Sequence, residues 1–237
     1  MKLVILAGGK GKRLGLTNIP KPMVPICGKP LLYHQIELAK KYGIHEVYIL
    51  SGFLSDSIIN YFGDGERIGV KIIHITEKEP LGTAGAINQL RTLINEPFLV
   101  FNGDNLIELN LEKFIAFYNQ NQSIASLIVQ PTSYPMDCDI LSLNEDKTLE
   151  SIYTRPHPPD IQYFNIVNGG IFIFHPSIFS YITDKPANIE KDIIPKLLNA
   201  GEKITTYKTS EYIFDIGSPK RLKKAIKDYK LRKINKN

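Results

Sequence analysis

The stretch Leu3-Val-Ile-Leu-Ala-Gly-Gly-Lys-Gly-Lys-Arg13 decides the fold of this chain, because an apolar run ends abruptly in glycines and cations. Four apolar residues in a row, 3–6, are typical of a buried strand in a parallel sheet. Glycines let backbone N–H groups approach phosphate oxygens closely, and lysine and arginine neutralise the phosphate charge. The first 36 residues contain six basic side chains and no acidic one. This opening predicts a protein that handles phosphate groups.

Beyond that stretch, apolar β-branched runs alternate with helical patterns. Strands are predicted at residues 3–6, 47–50, 70–75 and 98–101, and helices at 31–42, 55–62 and 84–93. Such alternation predicts an α/β fold of three layers, Rossmann-like, with a mixed, mainly parallel central sheet. Ligands of such sheets bind beyond the carboxyl ends of the strands. Both the glycine loop and Asn102-Gly-Asp104 follow predicted strands.

After residue 110 the pattern loosens into shorter strands and helices that end in a helix at 219–230. Neither a low-complexity linker nor an internal repeat occurs in the chain. We therefore predict a single domain, residues 1–237. Its second half (111–237) would add a substrate-facing wall and the C-terminal helix to the sheet of the first half (1–110).

Composition excludes several classes of protein. With 43% hydrophobic and 22% charged residues, neither a disordered chain nor a coiled coil is expected. The two cysteines, Cys27 and Cys138, lack metal-ligand spacing and suit the reduced cytoplasm. No apolar stretch approaches the roughly 20 residues that span a bilayer, and the run 3–7 is too short for a signal peptide. We expect a cytoplasmic protein without a membrane partner.

Residues 218–237 carry a strong positive charge, with nine Lys or Arg residues and one Asp. A nucleic-acid-binding tail and a solvated terminal helix both fit this pattern. The helix is favoured, because Tyr229 is the single aromatic residue that could stack on a base. No nucleic-acid partner is expected.

The glycine loop matches neither common nucleotide motif. It lacks the third glycine of the dinucleotide-binding fingerprint, and the P-loop pattern is absent. It reads Leu-Ala-Gly-Gly-x-Gly-x-Arg-Leu at 6–14 and is followed by Lys21-Pro22. In these two elements the chain resembles the sugar-phosphate nucleotidyltransferases. Segments 79–86, 101–104, 168–172 and 214–219 resemble further family segments, and the spacing and the Asp-Ile-Gly-Ser-Pro ending look most like the branch that guanylylates heptose or mannose 1-phosphates.

The resemblance implies an enzyme that transfers a nucleotidyl group from a nucleoside triphosphate, with GTP favoured, to a heptose- or mannose-type sugar 1-phosphate. The products would be pyrophosphate and a nucleotide-sugar for surface-polysaccharide biosynthesis. Mg²⁺ is the expected cofactor. Uridylyl or cytidylyl transfer to another phosphosugar is the nearest alternative. A homodimer is compatible with the family, although no feature of the sequence compels it.

Catalysis of this reaction is mostly positioning and charge neutralisation. Arg13 suits the outer phosphates of the triphosphate, and Lys21, framed by two prolines, suits the reacting phosphates. Asp104 and Asp215 are the expected Mg²⁺ ligands, because Mg²⁺ takes hard oxygen ligands and few carboxylates. Either aspartate could instead cap a neighbouring turn or helix.

The resemblance also implies a nucleotide-binding half (1–110), a sugar-phosphate-binding half (111–237) and their binding residues. Those for the nucleotide are Leu6, Ala7, Gly8, Gly9, Gly11, Lys12, Gly82 and Thr83; those for the sugar phosphate are Asn102, Asp139, Arg155, Asn168 and Gly169. Asn168, before two glycines, could equally turn the chain.

The chain departs from the family at Thr154-Arg155, where many members have Glu-Lys. Arg155 can still hold a phosphate, whereas Thr154 cannot replace a carboxylate on sugar hydroxyls. This departure favours a heptose or mannose 1-phosphate over glucose 1-phosphate.

Two rival functions account for parts of the sequence. A glycosyltransferase would use Asp137-Cys-Asp139 on a metal, yet it explains neither the glycine loop nor Lys21. A non-catalytic nucleotide sensor would tolerate loss of Asp104 or Lys21, and both are present.

Overall fold

The computed structural model describes residues 1–9, 11, 14–15, 17–132, 135–157 and 165–234, without the side chains of Asp137, Lys233 and Ile234. The strands are β1 (Lys2–Ala7), β2 (Pro25–Ile26), β3 (Lys29–Pro30), β4 (Glu46–Ser51), β5 (Lys71–Thr76), β6 (Phe98–Asn102), β7 (Asn105–Glu108), β8 (Ala125–Pro131), β9 (Ile140–Leu143), β10 (Leu149–Tyr153), β11 (Ile166–Phe174), β12 (Ile204–Lys208) and β13 (Tyr212–Asp215). The α-helices are α1 (Leu31–Lys41), α2 (Ser55–Phe62), α3 (Gly82–Asn88), α4 (Leu111–Asn121), α5 (Ile194–Asn199) and α6 (Pro219–Ile234).

Shorter helical turns complete the chain. They are the 3₁₀ segments Lys21–Met23, Glu66–Ile68, Pro135–Asp137 and Pro176–Tyr181, and the π-helix Ile189–Ile193 that leads directly into α5. The four strands predicted in the first 110 residues are all present, within one residue at each end. The predicted helix at 84–93 begins two residues earlier and ends at Asn88.

Two compact units make up the chain, and each combines several stretches of sequence. The terminal unit contains residues 2–80, 101–109 and 211–237; the central unit contains residue 1, 81–100 and 110–210. The predicted division into halves at residue 110 stays a prediction.

In the terminal unit, β4 pairs in parallel with both β1 and β5. Strand β1 is deeply buried, with Leu3, Val4 and Ile5 fully inaccessible, as expected for a strand covered on both faces. The register places Leu6 opposite Leu50 and Ala7 opposite Ser51. The glycine loop therefore begins at the carboxyl end of a parallel strand.

In the central unit, β8 pairs antiparallel with β11 and parallel with β12, while β9 pairs antiparallel with β10 and β11. Its core contains stacked rings: the centroids of Phe98 and Phe179 lie 5.7 Å apart, and those of Phe172 and Phe174 lie 5.3 Å apart. Parallel and antiparallel pairs together confirm the predicted α/β class with a mixed, mainly parallel sheet.

The basic helix α6 belongs to the terminal unit and is docked there. Its apolar face packs against a buried cluster of the same unit. The helix contributes Leu222, Ala225, Ile226 and Tyr229, and the rest of the unit contributes Val24, Ile26, Leu31, Leu106 and Ile216. Ala225 is completely buried. The predicted terminal helix is present, and this packing gives it a structural role that the sequence analysis did not predict.

Polar contacts fasten the same helix. The Tyr212 hydroxyl donates to Asp228 Oδ2 at 3.1 Å, and the Arg232 guanidinium lies 4.2 Å from the centre of the Tyr212 ring. Burial, followed by the Asp228 carboxylate, raises the pKa of Tyr212 well above its usual value. Among the helices described, none combines the length and the apolar character needed to cross a bilayer.

Candidate active site

The glycine loop leaves β1 with room for a ligand at Gly9, where an added Cβ would meet no atom of the described residues within 4 Å. At Gly8 an added Cβ would lie 3.5 Å from Glu77 Oε1. Gly11 has a φ of +59°, in the left-handed region that favours glycine. The predicted phosphate ligands Lys12 and Arg13 lie outside the described residues.

Lys21 is the centre of the terminal unit's charged site. Its Nζ lies 2.5 Å from Asp104 Oδ2 and 3.3 Å from Asp215 Oδ1, while its side chain is only 10% exposed. Asp104 and Asp215 lie 83 and 194 positions after Lys21 in sequence. The structure thus brings together the three residues that the sequence proposed for phosphate and metal chemistry. We call Lys21, Asp104 and Asp215 the Lys–Asp–Asp cluster.

Asp104 is carried by a two-residue turn, Gly103-Asp104, that joins β6 to β7. The Gly103 N–H donates to the Leu6 carbonyl at 3.0 Å, and the Ile216 N–H donates to the Asp104 carbonyl at 3.0 Å. An added Cβ at Gly103 would lie 2.6 Å from Leu6 O and 3.3 Å from Pro22 Cγ. Glycine is therefore required here by the close approach of β1.

Asp215 ends β13, which pairs antiparallel with β7 so that Asp215 stands opposite Asn105. Its Oδ1 accepts from the Gly217 N–H at 2.5 Å, and its Oδ2 lies 3.4 Å from the guanidinium of Arg221. The helix-capping alternative for Asp215 is wrong, because the Ser218 hydroxyl accepts from the Arg221 N–H at the start of α6. Asp215 instead turns the backbone locally and faces Lys21.

A divalent cation fits the Lys–Asp–Asp cluster. Both carboxylates already point at one positive charge, the Lys21 ammonium, which acts as a stand-in ion. Mg²⁺ commonly binds through one or two carboxylates and completes its octahedron with water and substrate phosphates. No group of three or more His, Cys, Asp or Glu residues suited to a metal occurs in the described part of the chain. Two carboxylates are sufficient for Mg²⁺ and too few for an all-protein cage.

The second predicted nucleotide-binding segment lies in the central unit. Gly82 has a φ of +72°, and an added Cβ would approach the Ala187 carbonyl to 2.4 Å. The Thr83 hydroxyl accepts from the Ile189 N–H at 2.8 Å. The fold itself therefore requires glycine at 82 and uses the hydroxyl of Thr83, and the role of this segment toward a base stays a prediction.

Three of the predicted sugar-phosphate residues form a connected set in the central unit. Asp139 Oδ1 accepts from the Arg155 N–H at 3.1 Å and lies 3.6 Å from the Arg155 guanidinium. The Asn168 N–H faces the Asp139 carbonyl at 3.4 Å. Gly169 is packed so closely on Ile128 that an added Cβ would lie 3.1 Å from its Cγ2.

The Asn168 side chain makes the local turn contact that the sequence offered as one alternative, and its role toward sugar hydroxyls stays a prediction. Its Oδ1 accepts from the Gly170 N–H at 2.9 Å, which turns the chain locally. Its Nδ2 donates to Glu190 Oε1 at 3.3 Å, which places a carboxylate beside the predicted sugar residues. Asn102, also predicted for the sugar phosphate, belongs to the terminal unit.

Sequence reasoning missed two residues of these sites, Glu190 and Gln35. Glu190 lies in the π-helix, where nothing in the local pattern marks it. Gln35 could have been found in the sequence, because it is the polar member of a set of α1 residues that are otherwise apolar and buried. It is fully buried.

These observations define a class: an α/β protein that assembles cations, carboxylates and glycines at its strand ends for phosphate chemistry. A model of the family described as nucleotidyl transferase matches residues 2–232. The chain belongs to this family.

Several relatives in the family resemble the chain along most of its length. Mannose-1-phosphate guanylyltransferase catalytic subunit beta of Xenopus tropicalis is 32% identical over 226 residues, which are 93% of this chain. Probable mannose-1-phosphate guanylyltransferase 2 of Arabidopsis thaliana is 33% identical over 230 residues. The chain spans 62% of the length of each of these relatives.

Solved structures agree with the fold. HddC from Yersinia pseudotuberculosis, in complex with GMP-PN, superposes with a TM-score of 0.81 and 32% identity, covering 96% of this chain and 99% of HddC. A putative glucose-1-phosphate thymidylyltransferase from Bacillus anthracis gives a TM-score of 0.83 at 22% identity, a likeness of fold alone. The mannose-1-phosphate guanylyltransferase relatives confirm the predicted resemblance to the guanylyltransferase branch.

Proposed function

We propose that this chain transfers a guanylyl group from GTP to a mannose- or heptose-type sugar 1-phosphate and releases pyrophosphate. The carrying observation is the Lys–Asp–Asp cluster, in which one lysine contacts two carboxylates drawn from distant parts of the chain. The names of the frog and Arabidopsis relatives support a guanylyl donor and a mannose 1-phosphate acceptor. The product is an activated sugar donor, which fits a supply role in surface-polysaccharide biosynthesis.

The reaction needs little covalent chemistry from the protein. A phosphate oxygen of the sugar 1-phosphate attacks the α-phosphorus of GTP, and the bond from that phosphorus to the bridging oxygen breaks. The electron pair leaves with pyrophosphate. The attacking phosphate is already ionised at neutral pH, so no protein base is required; repulsion between the two anions is the main barrier.

Lys21 addresses that repulsion. It lies in the short helical turn Lys21–Met23, with Pro20 before it and Pro22 after it, so its backbone loses little freedom on binding. A positive charge fixed in a largely buried position interacts more strongly with a developing negative charge than one in water does. Lys21 would hold the reacting phosphates close together.

Asp104 and Asp215 are the residues that would hold Mg²⁺. When bound, this ion supplies neutralisation of the triphosphate charge. The backbone bonds that hold Gly103, Asp104 and Gly217 fix the two carboxylates without help from substrate.

On the acceptor side, Arg155 would bind the sugar phosphate, since a guanidinium can bind phosphate through two parallel hydrogen bonds. Glu190, held by Asn168, would offer a carboxylate to sugar hydroxyls. Glu190 would thus supply the carboxylate that Thr154 lacks. Uridylyl or cytidylyl transfer is the second candidate function, and the homodimer and the cytoplasmic location stay predictions.

A pyrophosphate-release assay tests the proposal. Purified protein with Mg²⁺ would be supplied with GTP, UTP, CTP or ATP, each with mannose, heptose or glucose 1-phosphate, and products would be identified by mass spectrometry. We expect turnover with GTP and a mannose- or heptose-type acceptor. Turnover restricted to glucose 1-phosphate, or to a pyrimidine triphosphate, would refute the assignment of substrates.

A matched pair of lysine variants tests the site. Lys21→Met should lower kcat on the order of 10²-fold or more, the usual cost of removing a charge-stabilising donor. Lys41→Met, at an exposed position at the end of α1, serves as the control and should keep wild-type kcat. Equal rates for the two variants would remove Lys21 from the mechanism.

A further inference from the structure

A buried glutamine holds the turn that carries Asp104. Gln35 Nε2 donates to the Asn102 carbonyl at 2.9 Å and to the Asn105 carbonyl at 2.7 Å. These two carbonyls flank Gly103-Asp104, and Gln35 is completely buried in α1. Both hydrogens of one amide group are therefore used to bind the two ends of a single two-residue turn.

Side-chain and backbone groups both hold this turn. Backbone groups supply the bonds from the Gly103 N–H to Leu6 and from the Ile216 N–H to Asp104, and the Lys21 ammonium contacts the Asp104 carboxylate. The Gln35 contacts bind the backbone at both ends of the turn, and a single substitution can remove them. We propose that Gln35 is a positioning residue for the metal-binding carboxylate of Asp104, an inference that rests on the proposed function of the Lys–Asp–Asp cluster.

Unsatisfied polar atoms beside the contact favour this role over simple packing. Gln35 Oε1 and Asn102 Oδ1 are buried and have no hydrogen-bond partner among the residues that the structure describes. A buried acceptor without a partner costs stability. Leucine or methionine would avoid that cost at a position whose helix neighbours Leu31, Leu32 and Ile36 are apolar. The amide is useful here for its two donors.

The consequence should be a loss of metal affinity when the donors are removed. Gln35→Met keeps a similar volume and deletes both hydrogen bonds. Partners that orient a metal ligand typically contribute about 10–100-fold in metal affinity or activity. We expect the Mn²⁺ dissociation constant of the purified protein, measured by electron paramagnetic resonance without substrates, to rise by about tenfold or more.

Lys40→Met is the matched control. Lys40 lies in the same helix and donates to a backbone carbonyl, that of Ile68 at 2.9 Å, away from the turn. Its Mn²⁺ affinity should equal that of wild type. In kinetics, Gln35→Met should raise the Mg²⁺ concentration needed for half-maximal rate, with KM for the sugar 1-phosphate within about twofold.

A measurement on wild-type protein covers the case in which Gln35→Met fails to fold. During a Mg²⁺ titration followed by NMR, the side-chain amide of Gln35 and the backbone amides of Gly103 and Asp104 should shift with one midpoint. An unmoved Gln35 amide, or a folded Gln35→Met with wild-type Mn²⁺ affinity, would overturn the inference. A third outcome separates the two proposals. If Mn²⁺ binds more weakly to the variant but wild type turns over no substrate pair, guanylyl transfer is refuted and the positioning of the Asp104 carboxylate by Gln35 stands.

Discussion

Replacing Gly103 by alanine should disturb stability and catalysis together. The added Cβ would lie 2.6 Å from Leu6 O and 3.2 Å from Leu6 C, both backbone atoms of a buried strand. Reaching an ordinary contact of 3.4 Å requires the turn or β1 to move by 0.8 Å. Neither side yields easily, because the Gly103 N–H is hydrogen-bonded to the same carbonyl.

Overpacking of this kind costs about 1–3 kcal/mol. For a chain of this length, each kcal/mol lowers the melting temperature by roughly 2–4 °C, so Gly103→Ala should melt about 2–12 °C below wild type. A displacement near 1 Å of a catalytic group can cost on the order of 10²-fold in rate. We therefore expect kcat for pyrophosphate release to fall by a similar factor.

Differential scanning calorimetry and the pyrophosphate assay measure the two effects. Gly9→Ala is the control for melting temperature, because an added Cβ there lies more than 4 Å from every described atom outside its chain neighbours. The free energy of unfolding of this variant should stay within about 0.5 kcal/mol of wild type. A Gly103→Ala protein that melts within 1 °C of wild type and keeps its kcat would refute the steric reasoning.

Three further predictions address the acceptor site, the pH dependence and α6. Glu190→Gln should raise KM for the sugar 1-phosphate by about tenfold while KM for GTP stays within twofold; steady-state kinetics in which both constants rise equally would contradict the hydroxyl-binding role. Because Tyr212 keeps its proton in the folded state above the pKa of about 10 of an unfolded tyrosine, unfolding free energy should fall as pH rises past 10, by at most about 1.4 kcal/mol per pH unit. Urea titrations at pH 9–11 should show a flatter decline for Tyr212→Phe. Ala225→Asp, at a fully buried site of α6, should lower the free energy of unfolding by at least about 2 kcal/mol. The control Lys227→Asp, at an exposed site of the same helix, should change it by about 0.5 kcal/mol or less. Equal stabilities of the two variants in chemical denaturation would argue against docking of the helix.

The strands could be predicted because their causes are local. Residues 3–6 and 98–101 are short uninterrupted apolar runs, which are typical of strands covered on both faces. The Lys–Asp–Asp cluster could be predicted for a related reason. Lys21 has a rigid proline frame, Asp104 follows the end of β6 and Asp215 ends β13, and ligands of α/β sheets bind at strand ends.

The supporting residues of the site depend on distant pairings and escaped prediction. Strands β7 and β13 pair across more than 100 residues, from Asn105 to Asp215, and neither is a conspicuous run in sequence. Gln35 bonds to carbonyls 67 and 70 positions away. Glu190 meets Asn168 through a π-helix, a rare conformation that local propensity does not encode.

Lys21 and Asp215 are 194 positions apart in sequence, so the ribosome makes Lys21 well before Asp215. At roughly 5–20 residues per second of translation, the lysine would emerge about 10–40 s before its second carboxylate. Until β13 arrives to pair with β7, a ribosome-bound chain would have only half of its anionic pair. The capacity to retain a divalent ion would then appear only once the segment beyond residue 210 has been made.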